Sequence, residues 1–312
     1  MNERTKASTA LILPIAVCAL SGFFWLLMNV PFTPRFSLSP YRATSGIFVS
    51  LGLNALLGTV LLAMKRNKLA FIPFFFAMFP LAYAITAFTG HLILGSDFTG
   101  ALFYRKILYD CYFFAIEMVC ASTLALVFGK NLHCLGFLKK PNDAKGFTEP
   151  VFASRPVTFL TVFSVLFFCT FVIGLMVLLL VANRVPLSVI ASLAWMQVLF
   201  AVCLGFKEEL LFRWVLARSV AENLPLRRRS WAALAAMVIV ALYWGVYHGF
   251  FGEGVGSGIA SAAACFIASM YWGYLTFRNG SLRLGVLGHF CIELYGFYLM
   301  YLPLLASMGY IR

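Results

Sequence analysis

Runs of about twenty uninterrupted apolar residues recur along this chain, and no other feature restricts its fold so severely. Each run is as long as a helix must be to cross the roughly 30 Å hydrocarbon core of a bilayer. In that medium only structures that satisfy every backbone N–H and C=O internally persist. Nine such runs can be marked, at about 8–30, 46–64, 69–94, 107–129, 157–182, 187–206 continuing through a charged extension, 231–250, 259–277 and 284–306. Of the 312 residues 62% are hydrophobic and 11% charged, with a mean hydropathy of +0.92. A water-soluble domain has too little polar surface to cover so much apolar material. The expected fold is therefore all-α, a polytopic transmembrane helix bundle of about nine spans with membrane lipid as its permanent partner. The first run lacks a small-x-small cleavage pattern and reads as a retained span rather than a signal peptide.

The formal net charge of +13 invites a nucleic-acid reading, but the bases are scattered through the breaks between runs and form no single surface. They sort by side of the membrane instead. Arg4, Lys6, Lys65, Arg66, Lys68, Lys130, Lys139, Lys140, Lys145, Arg155, Arg218, Arg227, Arg228, Arg229, Arg278 and Arg283 fall on one side. Arg35, Arg42, Arg105, Lys106, Arg184 and Arg312 fall on the other, and Lys207 and Arg213 lie within a span. The positive-inside rule then puts the N-terminus in the cytoplasm and the C-terminus outside. The acceptor sequence Asn279-Gly280-Ser281 falls on the cytoplasmic side, where it stays unglycosylated. The 8 cysteines lie mostly within spans and show no CxxC spacing, which predicts buried inert thiols with neither a disulfide framework nor a zinc knuckle.

The Lys-, Pro-, Asn- and Asp-rich stretch 130–156 reads as a cytoplasmic linker between an N-terminal four-helix membrane region, 1–129, and a C-terminal five-helix core, 157–312. No internal repeat is present to support a repeat-built transporter. A charged side chain at mid-bilayer costs at least about 2.5–3.5 kcal/mol, so each intramembrane ionisable residue is a candidate for function. In the N-terminal part these are His91, Asp110 and Glu117. Asp110 follows Lys106 by four residues and can pair with it on one helix face. His91 sits near a span end, and Glu117 has no charged neighbour in sequence but can bond to another helix.

The C-terminal part is denser. Lys207-Glu208-Glu209-Leu-Leu-Phe-Arg213 interrupts an apolar run. On an α-helix Glu209 and Arg213 share a face, while Glu208 is rotated by about 100° and left free to point elsewhere. The next run carries Trp244 and His248 one turn apart, and the last carries His289 and Glu293 one turn apart. Three helices thus each offer polar groups to the bundle interior.

Glu-Glu-x-x-x-Arg, then aromatic-x-x-x-His, then His-x-x-x-polar, in this order over about 187–297, resembles the CAAX protease and bacteriocin-processing (CPBP) family of intramembrane endopeptidases. The polar turn Arg278-Asn279-Gly280-Ser281 before the last helix is also similar to the family's pattern. The resemblance implies that Glu208 acts as general base on a water shared with His248. It implies that His289 and residue 293 stabilise the developing oxyanion, and that Glu209, Arg213 and Trp244 support them. The implied substrate is a membrane-associated, prenylated or otherwise lipid-modified peptide. Gly249-Phe250 follows His248 where the eukaryotic prenyl-protein enzymes carry further histidines, so the resemblance points to a bacterial member in the cytoplasmic membrane.

Two positions depart from the family's pattern. Trp244 stands where Phe is usual, and Glu293 where Asn is common. An ionised Glu accepts hydrogen bonds and cannot donate one to an oxyanion. Either Glu293 is protonated, or it orients His289, or Glu208, His248, His289 and Glu293 together hold a metal, for which two His with carboxylates suit zinc. HExxH is absent and the candidate ligands are spread over three helices, which favours a site without metal or other cofactor. Depth poses a separate question. Counted from the flanking charges at about 1.5 Å per residue, His289 lies roughly 9 Å in, Glu208 roughly 15 Å and His248 roughly 27 Å. The centre closes only if the seventh span tilts, or if its first turns lie in the interface; the Gly-rich break 251–258 would let that helix end inside the protein. Two other functions use the same residue types: a proton- or ion-coupled transporter, and a non-catalytic immunity or scaffold protein. Oligomeric state is open.

Overall fold

The computed structural model describes residues 3–29, 36–38, 41–43, 45–94, 103–130, 159–250, 258–307 and 309. Helix α1 runs over Glu3–Leu26 and ends in a 3-10 turn, Leu27–Asn29. A short antiparallel hairpin follows, β1 (Phe36–Leu38) and β2 (Tyr41–Ala43), with Ser37 opposite Arg42. Then come α2 (Ser45–Ala63), α3 (Asn67–Leu94), α4 (Phe103–Val127) and α5 (Phe159–Ala182). Helix α6 (Leu187–Glu208) passes without a break into a π segment, Glu209–Leu216, and then into α7 (Ala217–Asn223). Helices α8 (Arg229–Phe250), α9 (Ile259–Asn279) and α10 (Arg283–Ser307) complete the bundle.

Among the described residues nine helical spans are long and apolar enough to cross a membrane. The all-α expectation holds, with the hairpin as a six-residue addition. The charged extension of the sixth run is helical throughout, giving one 37-residue rod from Leu187 to Asn223. Residues 131–156 of the linker and most of the Gly-rich break, 251–257, lie outside the described residues. The polar turn before α10 behaves as its composition dictates: Gly280 takes the left-handed conformation, φ 60°, that ends α9, and Ser281 Oγ accepts from Arg283 N–H at 3.3 Å.

Lipid-facing and protein-facing surfaces divide by helix. Phe163, Phe167, Phe171, Leu178 and Val181 of α5 are exposed, as a membrane-facing helix requires. Helix α3 is the most deeply packed span and contacts α1, α2 and α4. One apolar core joins α1, α3, the π segment, α7 and α8; a second joins α4, α5, α6 and α10. The basic ends of several helices meet. Asn223 Nδ2 donates to the Lys68 carbonyl at 3.2 Å, and Lys130 pairs with Glu222 at 2.6 Å. Lys68, Lys130 and Glu222 therefore share one end of the bundle, as the charge sorting of the loops predicts.

Candidate active site

Three carboxylates converge on one imidazole. His289, on α10, is buried, and its Nε2 lies 3.0 Å from Glu208 Oε2 and 3.2 Å from Glu293 Oε1. Its Nδ1 lies 2.9 Å from Glu209 Oε1. Both ring nitrogens thus face carboxylate oxygens, an arrangement satisfied when both carry hydrogen. Glu208, rotated from the face that Glu209 shares with Arg213, and Glu209 nevertheless reach the same ring. An imidazole presents its nitrogens on different edges, and the switch from α to π helix falls between Glu208 and Glu209, so consecutive carboxylates grip one ring from two sides. Within α-helices π segments occur frequently at functional sites.

The Glu209–Arg213 pair is present at 3.5 Å, with both side chains essentially inaccessible. Glu209 is more than a counter-ion for Arg213, however, since the same Oε1 also engages His289. Arg213 lays its guanidinium over the Trp244 ring at 4.7 Å. Trp244 in turn sits 4.1 Å from the His248 ring and stands perpendicular to His289 at 6.1 Å, so both imidazoles neighbour one indole.

These contacts answer the question of depth. Trp244 is 15 residues from the start of α8 and His289 only 6 from the start of α10, yet their rings meet. The helix starts are therefore not level, or the helices are inclined, and counting from the nearest charge is not a depth scale. Helix α8 itself runs to Phe250, and the Gly258 N–H bonds back to the Gly249 carbonyl at 2.7 Å.

Of the four residues grouped as candidate metal ligands, Glu208, His289 and Glu293 offer ligand atoms within 4.8 Å of one another, and His248 lies outside that cluster. His248 Nε2 is buried and meets no hydrogen-bond partner among the described residues. Such a nitrogen is unusual in a folded interior and is open to a water or a substrate.

The helices approach closely where side chains are missing. A Cβ on Gly205 of α6 would lie 3.1 Å from the Phe290 backbone nitrogen, and one on Gly285 of α10 would lie 2.6 Å from Glu209 Oε2. Glu209 is pinned by Arg213 and His289 and cannot yield without releasing one of them. Gly285→Ala is expected to destabilise the protein by about 1–3 kcal/mol through this overpacking, read as a lower unfolding midpoint in detergent. An unchanged midpoint would mean that Glu209 is not held in this way.

Some of the surroundings were not legible beforehand. Trp272 of α9 lies parallel to His289 at 6.5 Å and 14°, with no sequence signal beyond its being aromatic. Phe212 packs against Trp244 at 5.0 Å and stacks on Phe79 of α3 at 5.5 Å, while Trp25 of α1 stacks on Tyr247 at 4.8 Å. The N-terminal helices thus form part of the wall. Glu117, without a charged neighbour in sequence, meets Lys207 Nζ at 2.9 Å. Asp110 accepts from Tyr301 at 2.5 Å, whereas the side chains of Lys106 and His91 lie outside the described residues.

Residues 190–295, about a third of the chain, match the family model described as type II CAAX prenyl endopeptidase Rce1-like. The matched segment carries Glu208, Glu209, Arg213, Trp244, His248, His289 and Glu293. No curated protein and no solved structure matches the chain.

Proposed function

We propose that this chain, which over residues 190–295 belongs to the Rce1-like family of type II CAAX prenyl endopeptidases, hydrolyses a peptide bond within the membrane, with Glu208 as general base. The observation that carries the reading is the convergence of Glu208, His289 and Glu293 within 4.8 Å inside a buried, membrane-spanning bundle. Three ionisable groups gathered in apolar surroundings are costly and mark a functional centre by default. The substrate class is a membrane-associated peptide, prenylated at a cysteine or otherwise lipid-modified, which partitions into the same bilayer as the site.

In this mechanism a water lies between Glu208 and the open Nε2 of His248. Glu208 removes a proton as the water oxygen bonds to the scissile carbonyl carbon, and the carbonyl electron pair moves onto its oxygen. His289 transfers its Nε2–H hydrogen bond from the Glu208 and Glu293 carboxylates to that oxyanion. Preorganised donors of this kind in a dry site are usually the largest catalytic contribution. As the intermediate collapses, Glu208 returns its proton to the leaving nitrogen and the C–N bond breaks. Glu293 cannot donate when ionised, and at 3.2 Å from His289 Nε2 it serves as the acceptor that orients the ring before the oxyanion forms. Glu209 does the same at Nδ1, and Arg213 fixes Glu209.

The test is purification in detergent followed by mass spectrometry of products from a library of peptides ending in a prenylated cysteine and three further residues. The expected product is a peptide shortened from its C-terminal end with the lipid retained. A library returned intact would overturn the reading.

A second, metal-assisted reading rests on the same cluster. Glu208, His289 and Glu293 form a donor set that zinc accepts, and a carboxylate on the other ring nitrogen, here Glu209, is the usual support for a metal-ligating His. Bound zinc would supply Lewis acidity. The metal-free route is preferred for want of an HExxH motif. It predicts substoichiometric zinc in the purified protein and cleavage that survives chelators; one zinc per chain, lost together with activity, would reverse the preference.

A further inference from the structure

Next to Glu208 the chain buries a primary ammonium. Lys207 is 7% exposed and its Nζ lies 2.9 Å from Glu117 Oε2, 3.8 Å from Glu208 Oε1 and 4.4 Å from the centre of the Phe114 ring. Glu117 is 4% exposed. A buried ion that loses its partner is strongly destabilising, whereas replacing the whole pair by apolar residues is often neutral. A bundle that needed only packing between α4 and α6 would be served as well by two aliphatic side chains. Here, instead, a cation stands between two carboxylates from different helices, and only one of them, Glu208, lies in the hydrolytic cluster.

The two oxygens of Glu208 are thereby made unequal. Oε1 faces Lys207 and Oε2 faces His289. A carboxylate able to rotate about its last bond would present either oxygen to a water, and the cation removes that freedom. Glu117 holds the cation in turn, and it lies on α4, outside residues 190–295.

We propose that Lys207, anchored by Glu117, is a positioning residue for Glu208, so that a helix outside the family-matching segment completes the hydrolytic centre. The inference rests on the hydrolase reading and extends it to the N-terminal helices.

The probe is a fluorogenic peptide ending in farnesylated cysteine and three apolar residues. Wild type, Glu208→Gln, Lys207→Met, Lys207→Arg, Glu117→Gln and the double variant Glu117→Leu/Lys207→Met are compared in detergent, each for kcat, KM and unfolding midpoint. The double variant is expected to fold like the wild type because no charge is orphaned, yet to lose kcat by at least about tenfold, the effect of misplacing a reacting group, with KM within about twofold. Lys207→Met should show the same kinetic split, Lys207→Arg should retain most of the turnover, and Glu117→Gln should lose kcat per folded molecule. A double variant with wild-type kcat would reduce the pair to a structural contact and overturn the proposal, as would a Glu117→Gln variant that loses only stability. A wild type that leaves the probe intact, or a Glu208→Gln variant that cleaves it normally, removes the hydrolase reading, and the inference falls with it.

Discussion

Glu208→Gln is expected to lower kcat for peptide cleavage by about 10²–10⁴-fold, the usual contribution of a general base, without loss of folded protein. The substitution preserves shape. The amide can still accept from His289 at the position of Oε2, now 3.0 Å away, but it cannot take a proton from water at any accessible pH. The variant also separates the classes of function that use such residues. A proton- or ion-coupled transporter predicts an uptake defect in Glu208→Gln and no peptide product from the wild type. A non-catalytic scaffold predicts no consequence in either assay. Cleavage that persists in Glu208→Gln would remove this residue as the base and leave the cluster without a proton acceptor in the required place.

Arg213→Ala is expected to cost stability by about 3–5 kcal/mol, the range for breaking a buried ion pair by removal of one partner. Glu209 is 0% exposed, so its buried carboxylate would be left with His289 as its ionic partner. The guanidinium also packs on Trp244 at 4.7 Å, so the truncation opens space beside the indole that neighbours both imidazoles. The measurement is the unfolding midpoint in detergent together with the yield of monodisperse protein. A midpoint equal to that of the wild type would mean that His289 alone neutralises Glu209 and that Arg213 is dispensable to the fold.

The helices themselves were legible because the rule that sets them is local. An apolar run near 20 residues must be helical in lipid whatever surrounds it, and the spans read from composition match the observed helices to within a few residues. The pairing of Glu209 with Arg213 was legible for the same reason, since four residues along a helix is a near neighbour in any fold. The sharing of His289 between Glu208 and Glu209 was not. It depends on a change of helix type within one rod and on the closeness of α10, which Gly205 and Gly285 permit. The Lys207–Glu117 pair joins residues 90 positions apart in sequence, and nothing in either neighbourhood announces the other.

Sequence by itself thus determined that this protein is a membrane-embedded helix bundle and that its ionisable residues collect in the C-terminal spans. Both follow from free energies that each segment meets alone, the exclusion of water from its backbone and the cost of a charge in hydrocarbon. Tertiary structure decided which oxygen faces which nitrogen, that Trp244 neighbours both His248 and His289, and that α4 contributes an anion beside the centre. Those outcomes depend on the offset and inclination of whole helices, set by packing summed over many weak contacts between distant segments, and no local pattern encodes such a sum.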